Sequence, residues 1–464
     1  MIRHQPQRTR LSVPKVAHED VTNALNTAYP DVTNTTVFAV WSLPSNVEYR
    51  PVGQCGNQIA SAFWPLALHE YECAILIDME DSVIGGLRRG PIHDLFDNTC
   101  VVTNYPGSGN NWAVGHYTHG IEYHERLEDT IRYSVEKCSR LHGFLIMHSL
   151  GGGTGSGLGT AVLKSLTDNY PAIDRLVSCV YPIVAQDVIT APYNALLATK
   201  ELIEYATCVF PIENESLLDI CNTQLKQKNN RDQINYNIWC KPFQDMNSIV
   251  VNVLLHLTSG SRFPGSLNMD MNEIATNLVA YPKLHYIFSS VSPLALTAPT
   301  MCNMQGTKLL DELFVNVWSR NNQLIKIDPL QPNSLILSAA HIARGSCSIN
   351  DLKRNIERFR SKVSFSEWSK EAMKIGLCSV PPTGHLSSLL CLLNTSSMSL
   401  LFKNLVKQFS KLYRRKAHVY HYTQVRGFEE THFLESKEII CDLIAQYAEL
   451  ENERQPDISR LQIL

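Results

Sequence analysis

The chain has 464 residues, with 41 Lys and Arg against 44 Asp and Glu, a formal net charge of −3, and 44% hydrophobic residues. A charge balance this close to neutral argues against a nucleic-acid partner, and the absence of any run of about 18 apolar residues predicts no membrane span. Thirteen scattered cysteines without a C-x-x-C pair are typical of reduced thiols in the cytosol and support no structural zinc site.

The first 48 residues are predicted to form a divergent or disordered segment. They are rich in Asn, Thr and Pro, and their one strand-like stretch is the apolar run 37–41. Residues 46–51 fit poorly in a central strand, because Pro51 has no N–H to donate and Arg50 is charged. The basic start lacks an apolar core, so it does not resemble a secretory signal.

From residue 74 onward, apolar runs alternate with stretches of helical period. Residues 74–78, 144–148 and 176–181 are predicted to be buried strands, with helices between them. This alternation favours an α/β fold, in which helices cover both faces of a parallel sheet. Ligands bind such sheets at the carboxyl ends of the strands, and Asp78 stands at one of these ends.

The most informative motif is the glycine run 151–160, GGGTGSGLGT, which separates a predicted strand from a predicted helix. Glycines let backbone N–H groups converge on an anion, and a helix N-terminus adds partial positive charge. The run lacks the Gly-Lys-Ser/Thr ending of a Walker-type P-loop. A flexible linker is the alternative, but linkers rarely separate a buried strand from an amphipathic helix. The run therefore predicts a phosphate-binding loop.

The second half of the chain begins with a polar, Asn-rich stretch at 225–241, which is predicted to be a surface loop. Apolar residues from Met246 to Leu257 then recur at helical spacing and predict one long helix that joins two domains. Residues 265–392 are predicted to be a second mixed α/β region. Two apolar stripes, 398–412 and 440–447, predict two helices with a hinge at Gly427.

Six short motifs occur in one order along the chain. They are 53–59 (GQCGNQI), 108–113 (SGNNWA), the glycine run, 192–194 (PYN), 212–215 (IENE) and 265–270 (GSLNMD). In this order they resemble the tubulin family, over roughly residues 52–452. Within the family the chain looks most similar to the epsilon type, through residues 187–194 (DVITAPYN), residues 378–385 (CSVPPTGH) and an ending without an acidic tail.

The resemblance implies a tubulin-like architecture in three parts. A GTP-binding sheet domain would cover residues 49–242, a core helix and α/β intermediate domain 243–392, and a C-terminal helical hairpin 393–464. The implied cofactors are GTP or GDP and Mg²⁺. The implied partners are other tubulins, delta-tubulin among them, and components of microtubules or centrioles. The implied locations are the cytoplasm, the cytoskeleton, and the centrosome, centriole or basal body.

The resemblance also implies roles for single residues. Asp78 and Glu80 would face the magnesium ion, in part through water. Asn214 and Asn247 would bind guanine edges, which suit an amide that donates and accepts, and Phe243 would stack on the base. Taken alone, Asn214 would be a turn residue and Phe243 a core residue. The positions implied to bind GTP are Gln54, Cys55, Gly109, Asn110, Ser149, Gly152, Gly153, Thr154, Gly155, Asp187, Asn214, Phe243 and Asn247.

Glu273 is the sharpest catalytic candidate, together with Asn268 and Asp270. These residues match the loop that tubulins present to the nucleotide of the next subunit, where alpha-tubulin has Glu and beta-tubulin has Lys. A carboxylate there can orient and deprotonate the water that attacks the γ-phosphate. Hydrolysis would then need contact between subunits. Without the motif around it, Glu273 would be taken for an exposed helix residue.

The chain departs from the family pattern in several places. Only 20 residues separate Asn57 from Asp78, where tubulins have a much longer stretch. Ala191 stands where alpha- and beta-tubulin have a ribose-contacting Glu, and this change would weaken nucleotide binding. Residues 293–309 lack the basic and aromatic residues of lattice-forming tubulins, which predicts poor lateral contacts.

The hypothesis that results is a GTP-binding cytoskeletal tubulin of epsilon type, with a structural role in centrioles, basal bodies and doublet or triplet microtubules. Slow GTP hydrolysis in trans would accompany this role. A pseudo-GTPase scaffold is the alternative, favoured by the shortened start and by Ala191. A Rossmann oxidoreductase would need G-x-G-x-x-G at the first strand turn, where Gln54 and Cys55 stand instead. The lack of an acidic tail opposes an ordinary microtubule subunit.

Overall fold

Two β-sheets and the helices that cover them organise the described part of the protein. The computed structural model describes residues 37–38, 41–43, 47–53, 55, 58–59, 75–89, 98–105, 107–138, 141–182, 188–231, 242–263, 267–294, 306–331, 334–366, 368–370, 373–382 and 385–452. These residues all fall in one compact unit, Asn34–Leu464. The three domain boundaries expected from the sequence stay a prediction.

The larger sheet contains six parallel strands in the order β5-β4-β3-β6-β7-β8, and two short strands, β1 and β2, pair antiparallel with β3. The α/β fold expected from the sequence is confirmed, and the predicted strands at 74–78, 144–148 and 176–181 correspond to β4, β6 and β7. The bounds are β1 Val37–Phe38, β2 Trp41–Leu43, β3 Val47–Gly53, β4 Leu76–Asp78, β5 Val101–Thr103, β6 Gly143–Ser149, β7 Asp174–Tyr181 and β8 Cys208–Glu213.

Strand β3 corrects the expectation that Arg50 and Pro51 exclude this segment from the centre of the sheet. β3 lies between β4 and β6. On the β6 side, Pro51 is opposite Met147. On the other side, β1 and β4 pair with β3 at Val52 and β2 pairs with it at Tyr49. The segment is therefore a central strand in spite of its proline and its charged residue.

Helices connect the strands and cover both faces of the larger sheet. They are α1 Asp81–Arg89, α2 Gly120–Glu122, α3 His124–Lys137, α4 Gly159–Asn169, α5 Ala191–Tyr205, α6 Asn214–Arg231, α7 Pro242–Leu257, α8 Ser259–Arg262, α9 Met271–Leu278, α10 Gly306–Val317, α11 Ile349–Arg360, α12 Ser399–Tyr413, α13 Tyr420–Thr423 and α14 Thr431–Asn452. Wider π-helical turns precede α2 at Val114–His119 and α4 at Thr154–Leu158, and short 3₁₀ turns span Asn98–Cys100, Arg320–Asn322 and Ser396–Met398.

Two sequence expectations about helices were wrong. Helix α6 runs to Arg231, so residues 225–231 are helical and not a loop, because their Leu, Lys and Gln are good helix formers. Residues 232–241 lie outside the described part. Within the glycine run, helical structure begins already at Thr154, so the irregular loop is only 151–153. The predicted long helix at 246–257 is confirmed as α7.

Successive residues of a strand point to opposite faces of the sheet, and each face packs in its own hydrophobic core. Both sets of residues are therefore apolar, and each strand appears in the sequence as a continuous apolar run. Along β6, Phe144 and Ile146 pack in a cluster that includes α4, α5, α12 and α14. Leu145 and Met147 point to the other face and pack with apolar residues of α6, α7 and α9. Both faces of the parallel sheet are thus buried, and its edges remain as the places where a ligand can enter.

The smaller sheet has the order β11-β10-β12-β9 and confirms the second α/β region expected after residue 265. Its strands are β9 Ile287–Ser292, β10 Ile336–Gly345, β11 Lys374–Cys378 and β12 Ser387–Thr395. Helix α7 contacts β9, β10 and β12, and a bridge between Val209 and Tyr286 joins the two sheets. The C-terminal helices α12 and α14 pack on each other and on α5. No described helix has both the length and the apolarity that a bilayer crossing requires.

We predict that the buried His341 makes stability depend on pH. Its ring packs against Phe314, Trp318 and Phe359, and burial lowers its pKa from 6.5 to about 4. The folded state therefore holds it neutral while the unfolded chain takes up a proton, so stability is lost as the pH falls from 6.5 towards 4. Between pH 7.5 and 5.5, the unfolding free energy of a His341→Phe variant should fall by about 1.4 kcal/mol less than that of the wild type.

Urea unfolding at the two pH values measures this difference. The matched control is His124→Phe, because the side chain of His124 is 54% exposed. An unchanged pH slope in the His341→Phe variant would contradict a buried neutral His341.

Candidate functional site

A polar pocket opens at the carboxyl edge of the parallel sheet, where such folds bind ligands. Its volume is about 60 Å³, and its walls come from the ends of β4, β5 and β6. The residues that line it are Asp78, Glu80, Ser108, Gly109, Asn110, Gly153 and Thr154. Six of these seven were singled out from the sequence, and the chain thus brings together residues up to 76 positions apart.

The glycine loop forms one wall of the pocket. At Gly153 it approaches the 108–111 turn too closely for a side chain larger than that of glycine. A Cβ atom on Gly153 would lie 2.6 Å from the backbone nitrogen of Asn111 and 2.7 Å from the Cβ of Ser108. Thr154 begins the helical segment, and its hydroxyl lies 2.9 Å from that of Ser108. Backbone N–H groups at the start of a helix attract anions. This wall can therefore receive a phosphate group.

The opposite wall is a tight turn at residues 108–111. Gly109 and Asn110 have φ angles of 55° and 53°, and the backbone N–H of Asn111 donates to the carbonyl of Ser108 over 3.0 Å. Two consecutive positive φ values with this hydrogen bond match a type I′ turn, which favours Gly and Asn. The conformation fixes the turn against the glycine loop.

Two carboxylates stand at the β4 side of the pocket. Asp78 is only 2% exposed, and its Oδ1 accepts a hydrogen bond from the backbone N–H of Glu80 over 3.3 Å. Carboxylate and hydroxyl oxygens suit Mg²⁺, which usually takes one or two carboxylates and fills its other positions with water and phosphate. With the Thr154 hydroxyl nearby, the donor set fits that ion. No group of three or more His, Cys, Asp or Glu that could hold a metal occurs among the described residues.

The side chain of His148 contacts the glycine run at Gly155. Its Nδ1 lies 3.2 Å from the carbonyl oxygen of Gly155, and burial lowers its pKa to about 3. The ring is therefore neutral at physiological pH, and its Nδ1–H donates to that carbonyl. This contact was not expected from the sequence, since a lone histidine in an apolar strand gives no signal for it.

Asn194 holds the walls of the pocket in place and was missed as a functional residue. It is fully buried in α5, and its amide makes four hydrogen bonds. Nδ2 donates to the carbonyls of Asn110 and Gly151, and Oδ1 accepts from the Trp112 N–H and the Tyr422 hydroxyl. The signal available in the sequence was an asparagine inside an otherwise helical, apolar segment, where it is unfavourable without partners.

The segment between α12 and α14 packs directly behind this pocket. The Asn111 amide donates to the carbonyl of His421 over 2.9 Å, and the Tyr193 hydroxyl donates to the carbonyl of Ala417 over 2.8 Å. Tyr193 and Tyr422 also stack edge to face, with ring centroids 5.6 Å apart. The Pro-Tyr-Asn motif therefore joins the pocket to the C-terminal helices.

One residue predicted to contact guanine, Asn214, lies at the carboxyl edge of the sheet. Asn214 begins α6 directly after β8, Asn247 lies on α7, and these two helices pack together. Ser149 ends β6. Burial raises the pKa of the Cys55 thiol to about 12, so it stays protonated. Gln54 and Asp187, and the side chain of Phe243, lie outside the described part, and Gly152 and Gly155 belong to the loop and the first helical turn.

The loop of Asn268, Asp270 and Glu273 lies elsewhere. Asp270 caps α9 by accepting from the Glu273 N–H over 2.7 Å, and the Asn268 amide donates to the carbonyl of Phe263. Glu273 forms an ion pair with Lys374 at 3.1 Å, and its side chain is 44% exposed. Asn268 and Asp270 thus shape the loop, while the carboxylate of Glu273 can reach a partner.

This loop lies at the amino edge of the sheet, away from the pocket. Helix α9, which Asp270 caps, contacts β7, and the nearby charge of Asp270 adds to the rise that burial causes in the pKa of Asp174, the first residue of β7. β7 has eight residues, so the two edges are separated by roughly 23 Å at about 3.3 Å per residue. Glu273 therefore cannot reach the pocket of its own chain.

Comparisons with known proteins agree with this geometry. A family model described as the tubulin/FtsZ GTPase domain matches residues 51–222, and one for the tubulin C-terminal domain matches residues 282–407. The chain belongs to the tubulin family. Among its relatives are the tubulin epsilon chains of Mus musculus and Homo sapiens, each 42% identical over 89% of this chain and 98% of the relative. A tubulin beta-1 chain of Geotrichum candidum is 34% identical over 86% of this chain and 94% of the relative.

Membership in this GTPase family implies that the chain binds GTP or GDP. It also makes the chain a cytoskeletal protein and implies that its partners are other tubulins. The resemblance to the family stated from six motifs is confirmed, and so is its epsilon-like character. The roles of the individual residues stay predictions.

We predict that Tyr422 acts on nucleotide affinity through Asn194. A Tyr422→Phe variant removes one hydrogen bond to the Asn194 amide, which then holds the turn at Asn110 less firmly. Loss of one buried hydrogen bond corresponds to about 1 kcal/mol, so GTP affinity should fall by roughly fivefold. A titration with a fluorescent GTP analogue, after nucleotide removal with a chelator, measures the change.

Tyr193→Phe is the matched control, because it also removes one buried hydroxyl from the same aromatic cluster. That hydroxyl contacts Ala417 and not Asn194. GTP affinity should stay within about twofold of the wild type, although stability falls by a similar amount. Equal affinity losses in the two variants would argue against the role of Asn194.

Proposed function

We propose that this tubulin binds GTP with its phosphates between the glycine loop and the 108–111 turn. Gly152, Gly153, Thr154 and Gly155 would supply backbone and hydroxyl donors to the phosphates, and Gly109 and Asn110 would contact the γ-phosphate. The observation that carries this proposal is the pocket itself, in which a helix N-terminus and a strained turn face two carboxylates. Asn214, Asn247 and Phe243 would bind the guanine at the β8 side, with Gln54, Cys55, Ser149 and Asp187 beside the phosphates, ribose and base.

In the same proposal, Asp78 and Glu80 would hold Mg²⁺. Each offers a carboxylate at the pocket, and Asp78 is held by the backbone of Glu80. The ion, when bound, neutralises phosphate charge and fixes the phosphate oxygens. The protein's part is to hold the two carboxylates at the end of β4, on the γ-phosphate side.

We further propose that hydrolysis is slow and is completed in trans by Glu273 of a neighbouring subunit. The separation of the two sheet edges supports this arrangement, because one chain cannot bring its own Glu273 to its own pocket. Stacking of subunits head to tail would place the amino edge of one on the carboxyl edge of the next. The exposed carboxylate of Glu273 would then orient and deprotonate the attacking water.

The cellular role we propose is that of an epsilon-type tubulin in centrioles and basal bodies, where it organises doublet and triplet microtubules. The similarity to two tubulin epsilon chains over nearly their whole length supports this role. Delta-tubulin is the partner proposed, and the centrosome or the base of a cilium is the location proposed. A tagged chain that colocalises with centriole markers would support the location, and a uniform signal along cytoplasmic microtubules would contradict it.

Nucleotide content is the first test of the binding proposal. Purified protein is denatured, and the released nucleotides are separated by chromatography. We expect about one guanine nucleotide per chain in the wild type and a loss of at least tenfold in a variant with Thr154→Ala and Gly155→Val, because the first change removes a hydroxyl donor and the second adds a side chain that obstructs the phosphate loop. A folded wild type without nucleotide would instead support the alternative, a pseudo-GTPase scaffold.

The trans mechanism is tested with two defective chains. Glu273→Gln keeps the pocket but removes the base, and should lower GTP hydrolysis by about 100-fold. The Thr154→Ala, Gly155→Val chain keeps Glu273 but binds no nucleotide. A mixture of the two should regain hydrolysis, since the second chain supplies Glu273 to the pocket of the first.

Glu449→Gln on α14 is the control, because Glu449 is exposed and far along the chain from both edges. It should hydrolyse GTP at the wild-type rate. If the mixture hydrolyses GTP no faster than the sum of the two chains measured alone, at a concentration where the wild type is active, catalysis in trans is excluded. Full GTPase activity of the Glu273→Gln variant would exclude Glu273 as the general base.

A further inference from the structure

The exposed side of α12 carries a row of basic residues that the nucleotide site does not use. Lys403, Lys407 and Lys411 follow one another at intervals of four residues, and all three are exposed. Residues four apart lie on one face of a helix, about 6 Å apart along its axis. Arg414 and Arg415, also exposed, continue the row beyond the end of the helix. We call these five residues the basic row.

The basic row is not balanced within the described part of the chain. No described carboxylate lies within 4.0 Å of any of its five charged groups, and Lys403 has a single polar contact, to the Ser399 hydroxyl at 3.5 Å. Like charges four residues apart destabilise a helix. Lys326, by contrast, contacts both Glu215 and Asp219 at 2.8 Å.

The same charge continues into the segment after α12. No Asp or Glu occurs between Lys411 and Phe428, although the whole chain has a net charge of −3. Arg426 is exposed, and Tyr420 is 56% exposed beside His421. Exposed Arg and Tyr side chains are the residue types that dominate binding energy in protein interfaces.

We propose that the basic row docks an acidic, extended segment of a partner polypeptide. Side chains on one face of an extended strand repeat every two residues, or about 6.7 Å, which nearly matches the 6 Å interval of the lysines. Alternate glutamates of such a segment would each meet one basic side chain. A nucleic acid is disfavoured as the occupant, because the charge is confined to α12 and the segment after it, in a chain with negative net charge.

Binding of a short labelled peptide in which glutamate alternates with serine tests this inference on the full-length protein. We expect saturable binding that weakens as salt is raised, because exposed charges are screened. The triple variant Lys403→Glu, Lys407→Glu, Lys411→Glu should lower the affinity by about tenfold or more. Its GTP content and melting temperature should match the wild type, since none of the three side chains is buried.

The matched control reverses the exposed Lys353, Lys362 and Lys370, which changes the net charge by the same amount away from α12. This control should bind the peptide as the wild type does. Equal losses of peptide affinity in the two variants would mean that only the net charge of the protein matters, and this result would overturn the proposal. Tighter binding of a labelled single-stranded RNA than of the peptide, lost in the α12 variant, would overturn the choice of a polypeptide.

Discussion

The amide of Asn194 is the constraint on which the rest of the site depends. It is buried, and its two donor and two acceptor positions are all used, by partners from three segments of the chain. A buried amide with all positions satisfied stabilises a unique arrangement, whereas one lost partner leaves an expensive unpaired group. The phosphate-side turn, the glycine loop and the C-terminal segment are therefore placed as one unit.

This arrangement links the turn at 108–111 to the C-terminal segment through one hydrogen-bond network. The turn at 108–111 contacts His421, and the hydroxyl of Tyr422 reaches Asn194. A nucleotide that shifts the turn must also strain contacts to the C-terminal helices. The same helices carry the basic row on their outer side, so the inner face of this region serves the pocket and its outer face is free to meet a partner.

The parallel sheet imposes the second constraint, because it separates the pocket from Glu273. The pocket lies at the carboxyl ends of β4, β5 and β6, whereas the loop of Glu273 lies at the amino end of β7. The proposed mechanism in trans would make each subunit half of two sites, with a pocket at one edge and a carboxylate at the other. The ion pair between Glu273 and Lys374 orients that carboxylate at the surface.

Local patterns were enough to predict the strands at β4, β6 and β7, the long helix α7 and the C-terminal helices, because each depends on hydrophobic periodicity within a short window. Motif order was enough for the family and for most of the pocket. Local patterns failed where partners far along the chain decide. Pro51 belongs to β3 through its pairing with Met147 of β6, and the helical turns around Gly115 and Gly157 pack closely because neither residue has a side chain.

The sequence by itself determined the fold class, the family, the glycine loop and the acids at the carboxyl edge, since these depend on residue type and spacing. Only the tertiary structure decided which residues hold the pocket together and which are separated from it. Asn194, His148 and Tyr422 gain their roles from contacts that span up to 228 positions, and no local pattern records such contacts. The opposite placement of Glu273 likewise follows from strand direction in the assembled sheet.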